Sequence, residues 1–175
     1  IMTLVSLAIA APVGIFAAIF LVEYAKKGSR FVKLIRITAE TLSGIPSIVY
    51  GLFGMLFFVT ALHWGMSLLS GALTMVIMVL PLIMRTSEEA LKSVPDSYRE
   101  ASFGLGAGKL RTIFTIVLPS AVPGILAGVI LAIGRVVGET AALLYTSGTV
   151  AAVPNSLMGS GRTLALHMYV LSSEG

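Results

Sequence analysis

The chain has 175 residues, of which 57% are hydrophobic and 11% charged, with a mean hydropathy of +0.98 and a formal net charge of +4. That composition excludes an ordinary soluble domain of this length and makes the bilayer the expected solvent. With no cysteine and two histidines, disulfides, thiolate metal sites and a histidine metal cluster are excluded as well, and the redox compartment stays open.

A bilayer core about 30 Å thick requires roughly 20 apolar residues of helix. Residues 1–22 carry no charge, and they show neither a basic leader region nor a small-residue cleavage site, so they are expected as a span and not as a signal peptide. The chain reads as a fragment cut at both ends. Lys26, Lys27, Arg30, Lys33 and Arg36 follow. In FVKLIRITAETLSGIPS (31–47), Phe31, Leu34, Ile35 and Leu42 oppose Lys33, Arg36 and Glu40, so this segment is an amphipathic helix. It either lies at headgroup level or acts as an elbow that transmits motion, and Gly44 and Pro46 break or kink it.

Residues 41–84 contain no Lys, Arg, Asp or Glu, which is twice the length of one span, and a helical hairpin turning near His63-Trp64-Gly65 is expected. Arg85, Lys92, Arg99, Lys109 and Arg111 then form a second basic stretch, and residues 112–134 are the last uncharged run. Beyond Gly148 the chain is too rich in Gly, Pro, Ser and Asn for a lipid-facing helix. The expected spans are about 1–22, 45–62, 67–85 and 121–147, with a loop at about 86–112 and an external segment at about 148–175. Ten of the twelve cationic side chains lie beside one set of span ends, which places those ends in the cytoplasm. The same placement argues against nucleic-acid binding, because the cations flank spans and form no single patch with interleaved aromatics.

The loop RTSEEALKSVPDSYREASFGLGAGKLRT (85–112) carries the signals of a short helix. Pro95 stops the preceding helix, Ser97 with Glu100 forms a capping box, and Gly104 and Gly106 end the new helix after about two turns. A helix that short is marginal in water, so something beyond propensity is expected to hold it, and a partner surface is one candidate. GLGAGKL (104–110) is not a P-loop, because Phe103 stands where the first glycine is needed and Leu110 where Ser or Thr must follow Lys109. ATP, if used, is bound by another polypeptide.

LAIGRVVGETAALL (131–144) places Arg135 and Glu139 in an apolar run. On a helix starting near Val122 they would lie about 20 and 25 Å along the axis. A charge at that depth costs roughly 2.5–3.5 kcal/mol, so it faces a cavity or a partner. Two readings stay open. The i, i+4 spacing lets the pair neutralise itself and lock a helix interface, or Arg135 lines an anion path, its fork matching an oxyanion, with Glu139 positioning it. Arg85 is either a second path residue or an interfacial anchor. Thr140, Thr146 and Ser147 are oxyanion donors or ordinary packing residues. Gly124 with Gly128 and Gly134 with Gly138 form two small-xxx-small pairs for close helix approach.

EASFGLGAGKLRTIFTIVLP presents Glu100-Ala101-Ser102, three residues, Gly106, nine residues, Ile116, one residue and Leu118-Pro119. This resembles the EAA motif of ABC importer permeases and departs from it in having Ser102 for the second alanine. LSGIPSIVYGLFG (42–54), LPLIMRTSEEALKSVPDSYREAS (80–102) and GETAALLYTSG (138–148) extend the resemblance, over nearly the whole chain, to the phosphate importer permeases, and LPSAVPGILAG with GETAALL resembles the PstA type more than its PstC partner. The resemblance implies an all-α integral membrane protein with the MetI-like helical bundle, four spans being present of six. It implies that Ser97, Glu100, Ala101 and Gly106 belong to a coupling helix seated on a separate ATPase, which binds the ATP, so that this subunit is non-catalytic and carries no cofactor. It implies a PstC-type permease partner, an extracytoplasmic phosphate-binding protein and a multi-pass location in a bacterial or archaeal plasma membrane. Arg135 and Glu139 stand in the R-x-x-G-E-T context of those permeases. Competing readings are a permease for another oxyanion or small solute and an ion-coupled secondary transporter, for which several central carboxylates would be expected instead of Glu139 alone. A membrane-embedded enzyme lacks a convergent nucleophile, base or metal set.

Overall fold

Long charge-free runs become long helices in the computed structural model, which describes residues 1–26, 28–151 and 154–174 and contains no strand among them. Helix α1 (Met2–Ile19) passes without a break into a π-helical turn, Phe20–Tyr24, to make one rod of 23 residues. α2 (Arg30–Ser43) and α3 (Ser47–Gly54), the latter prolonged by a π-helical stretch Met55–Ala61, meet at a bend of 101°. α4 (Leu68–Lys92) is a single helix of 25 residues. α5 (Asp96–Gly104) is short, and α6 (Lys109–Thr112), a π turn Ile113–Val117 and α7 (Leu118–Gly138) align as a rod of 30 residues. Two more helices, α8 (Ala141–Thr146) and α9 (Leu164–Glu174), complete the described chain. Three rods are long and apolar enough to cross a membrane, and the bent α2–α3 pair supplies a fourth crossing if taken as one span.

α4 is the hub, buried along most of its length between α1 and α7. Small residues set how closely its neighbours approach. A Cβ on Gly14 of α1 would stand 2.9 Å from the Ile83 side chain, and one on Gly124 of α7 would stand 2.7 Å from the Ala90 side chain. Gly128 faces Thr86, whose hydroxyl is tied back to the Leu82 carbonyl at 3.0 Å. Without a strong hydrophobic drive between helices in lipid, such close backbone approach is what holds spans together. The Ser6 hydroxyl adds a bond to the Ala72 carbonyl of α4 at 3.1 Å. The apolar side chains that point outward from the rods, among them Leu4, Phe16, Ile130 and Leu131, make a lipid-facing surface.

Two core clusters form. One joins Ala10, Tyr50, Met75, Met78, Ile83, Val136 and Leu143, and the other, toward the end of the bundle that carries the basic stretches, joins Ile19, Leu21, Val32, Leu91, Val94, Ile113 and Val117. At that basic end, Glu88 receives Arg36 and Lys92, each at 2.7 Å, which fastens α2 to α4.

Four features differ from the expectations drawn from sequence. The α4 helix runs seven residues past the expected boundary at 85, because the Ser-Glu-Glu-Ala-Leu-Lys stretch keeps helical propensity and its carboxylates find cations. The buried face of α2 is Val32 with Ile35, Ala39 and Leu42, while Phe31 and Leu34 point outward. A continuous fourth span reaching 147 does not form, since the helix stops at Gly138 and Glu139 is extended, with ψ 129°. Residues 148–151 and 154–174 are also more than an external tail. The Gly159 and Leu157 carbonyls accept the first amides of α4, at 3.0 and 2.9 Å, and α9 sends Leu166 and Val170 into the core. The tight turns fall at His63 and Gly65, with φ 55° and 67°, and at Gly148, with φ 86°.

Candidate functional site: a polar break in the last long helix and a fastened short helix

Arg135 lies in the last turn of α7, partly exposed. Three residues on, Gly138 and an extended Glu139 interrupt the helix, and α8 begins after Thr140. The break takes Glu139 off the helical path on which i, i+4 pairing with Arg135 was expected. Its carboxylate, 9% exposed, instead accepts the Ala142 amide at 3.2 Å and so caps α8. Among the described residues Arg135 belongs to no ion pair. Of the two readings of these charges, mutual neutralisation is the one this geometry disfavours.

Beyond the break, α8 is held by close packing. A Cβ on Gly51 would stand 2.8 Å from the Ala142 Cα, and Gly54 abuts both Thr74 and Thr146, so α8 lies directly against α3. Tyr50, buried on α3, donates to the Leu42 carbonyl at 2.6 Å. Thr140 is the residue before α8, and its hydroxyl caps nothing. Thr146 and Ser147 donate to the Ala142 and Leu143 carbonyls at 2.8 and 3.0 Å, which spends their protons inside the helix. They therefore read as packing residues. Gly134 and Gly138 have no atom within 4 Å of a would-be Cβ, whereas Gly124 and Gly128 do the close packing, so the two glycine pairs have different surroundings. Arg85 is apart from all this, at the basic end, exposed between Glu40 at 3.7 Å and Glu89 at 3.4 Å.

The short helix α5 starts two residues earlier than the capping box requires. Pro95 is the N-cap residue, Asp96 opens the helix, and Ser97 makes no cap bond. Pro95 explains this, because its fixed φ of −58° class presets the turn into the helix while the Tyr98 amide bonds to its carbonyl at 3.1 Å. Glu100 and Ala101 are exposed, and the Glu100 carboxylate is in no ion pair among the described residues. At the other end, Gly106 adopts φ +80°, its amide bonds to the Phe103 carbonyl at 2.9 Å, and the Ala107 amide bonds to the Ser102 carbonyl at 3.1 Å. Those two bonds are the Schellman closure. The turn leaves Leu105 90% exposed at the tip, beside a cavity of about 520 Å³ lined by Tyr98, Ala101, Gly106, Arg111 and Ile116.

Sequence reasoning missed the residues that fasten α5. Arg99, only 14% exposed, donates to the Glu23 carboxylate from Nε at 3.1 Å and Nη2 at 2.8 Å. It also donates to the Leu91 and Val94 carbonyls at 3.0 and 2.8 Å and to Asp96 at 3.1 Å. Ser102 and Thr112, both buried, share a hydroxyl bond of 2.8 Å. In sequence Arg99 is only one of the basic-loop cations, and nothing local links it to a carboxylate 76 positions away. For Ser102 there was a signal, since a hydroxyl replacing the motif's alanine needs a partner once buried.

The family model described as "Binding-protein-dependent transport system inner membrane component" matches residues 10–172. The chain is 37% identical to the "Probable ABC transporter permease protein YqgI" of Bacillus subtilis over 98% of its own length and 62% of that protein. It is 42% identical to the "Phosphate transport system permease protein PstA 1" of Mycobacterium tuberculosis over 82% of its length and 46% of that protein, and 43% identical to the PstA of Yersinia pestis over 79% and 46%. The chain thus spans about half the length of the curated relatives it matches. Its fold resembles that of the MetNI methionine ABC transporter in an inward-facing form, with TM-score 0.70 and 18% identity over 99% of this chain and 74% of that one. A family match over nearly the whole chain, a MetI-like helical bundle and relatives above 40% identity establish that this chain belongs to the binding-protein-dependent inner membrane components, the permeases of ABC importers.

Proposed function

We propose that this chain is the path-forming part of an ATP-driven phosphate importer permease of the PstA type, with Arg135 on the anion path and α5 as the helix that docks on a separate ATPase. The observation that carries the reading is a cation with no ion-pair partner among the described residues. Arg135 is held on a rod beside a helix break, and the one nearby carboxylate in sequence is spent on capping α8. An unneutralised guanidinium in a membrane-spanning rod is costly unless water or an anion reaches it, and its planar fork suits a phosphate oxygen pair. The named phosphate permeases among the relatives support phosphate as the anion.

In this reading Glu100, Ala101, Tyr98 and the protruding Leu105 form the face that docks on the ATPase, and Gly106 holds the turn that presents it. ATP is bound there, on the partner. A second permease of the PstC type and an extracytoplasmic phosphate-binding protein complete the importer, the basic end of the bundle faces the cytoplasm of a bacterium or archaeon, and the rods cross its plasma membrane. Thr140 lies beside the path as an available hydroxyl, while Arg85, set between two carboxylates, anchors the basic end. Another oxyanion is the second reading, because YqgI, the relative matched over 98% of this chain, is named only as a permease.

The test is reconstitution. The full-length permease, co-expressed with candidate ATPase and partner permease subunits from the same genome, is purified and placed in proteoliposomes with the binding protein. Phosphate uptake that requires ATP supports the proposal; a permease that moves phosphate along an ion gradient without any ATPase refutes it.

A further inference from the structure

We infer that the coupling helix does not float on its loops but is strapped to the cytoplasmic ends of three spans, with Arg99 and Glu23 as the principal strut and Ser102 with Thr112 as a second tie. The inference rests on the importer reading and adds to it the residues through which force leaves the coupling helix.

Arg99 projects from the middle of α5 and reaches two other elements at once. It grips Glu23, in the π-helical turn that ends the first rod, with two nitrogens on one carboxylate oxygen at 3.1 and 2.8 Å. It also satisfies the Leu91 and Val94 carbonyls, at and just past the last turn of α4, where helical carbonyls have no partner of their own. Four bonds from one planar group to two rods fix direction as well as distance, which a lysine, a point charge on a flexible stem, would not do. Ser102, one turn further along α5, bonds to Thr112 at 2.8 Å where the last long rod begins. α5 is therefore tied to the first rod, to α4 and to the α6–α7 rod. Its remaining face, with Leu105 and the 520 Å³ cavity, stays free for the ATPase.

Force applied to a short helix passes to its neighbours only through contacts that do not yield, and α5's connections by chain run through turns, at Ser93–Pro95 and at Gly106–Gly108. The side-chain straps bypass those turns. Arg99 and Ser102 are thus positioning residues of the transmission, distinct from the residues that touch the ATPase or the anion.

No cysteine lies within these 175 residues, so Glu23→Cys/Arg99→Cys introduces their only two thiols, both lining a cleft of about 730 Å³ that admits a short bis-maleimide. The readout is phosphate imported per ATP hydrolysed by the assembled complex. Without cross-linker the ratio should fall by about tenfold, within the range typical of coupling between sites, while ATP hydrolysis continues; bridging the thiols should restore most of it. An unchanged ratio overturns the inference, and so does a loss that the bridge fails to restore. If that variant does not assemble, Arg99→Lys with Ser102→Ala, which keeps the charge and restores the motif's alanine, decides by the same ratio: a fall upholds the strut and no change rejects it. Failure of the unmodified complex to couple ATP to uptake refutes the importer reading instead.

Discussion

Replacing Gly106 by alanine isolates backbone conformation from space. Gly106 sits at φ +80° and a Cβ there meets nothing within 4 Å, so the substitution causes no clash. Its cost is the left-handed conformation itself, about 1–2 kcal/mol for a residue with a Cβ. That energy falls on the Schellman closure, whose amides at Gly106 and Ala107 bond back to Phe103 and Ser102. Gly104 is the matched control. It is helical, it is equally open, and alanine there should be neutral or stabilising by up to about 1 kcal/mol. Hydrogen exchange on the purified permease reads the difference: the 106 and 107 amides should exchange roughly 5–30 times faster in Gly106→Ala, and no faster in Gly104→Ala. Equal exchange in the two variants would refute the argument that a positive-φ turn defines the end of α5. Coupled ATP hydrolysis should drop in the first variant alone.

Other consequences follow from packing and capping. Gly128→Leu should sharply lower the yield of folded permease, because Thr86 is pinned to the Leu82 carbonyl and cannot move aside, whereas Gly134→Leu, with open space around it, should fold normally; detergent-solution monodispersity distinguishes them. Glu139→Gln keeps an acceptor for the Ala142 amide and should match the parent in thermal stability, while Glu139→Ala should lose about 1 kcal/mol of cap energy. Cysteine placed at Lys109 should be shielded from an impermeant thiol reagent in whole cells and cysteine at Leu157 labelled; labelling at 109 would invert the topology.

Much of the architecture is legible in sequence because the bilayer is a severe constraint: a run without charge must be helix, and a run of 44 residues, 41–84, must turn. The hairpin turn at His63–Gly65 and the positive φ of Gly106 follow from that logic and from glycine's freedom. What periodicity cannot foresee is a helix that stops inside an apolar run. Arg135 and Glu139 look like an i, i+4 pair only if the helix continues, and one Gly–Glu step removes the premise. The capping box at Ser97 does not form, since Pro95 starts the helix two residues sooner. Arg99 was invisible as a strut because its partners lie on two other rods, and a local reading counts it only as charge.

The central claim is that Arg135 serves the anion and not a salt bridge. Phosphate uptake and ATP hydrolysis by the reconstituted complex, measured for Arg135→Ala, Glu139→Ala and the double variant, test it most directly. The account predicts that Arg135→Ala abolishes uptake while the complex assembles and hydrolyses ATP, and that adding Glu139→Ala does not bring uptake back. Recovery of uptake in the double variant would contradict it, because a buried pair, not an anion path, would then explain both residues.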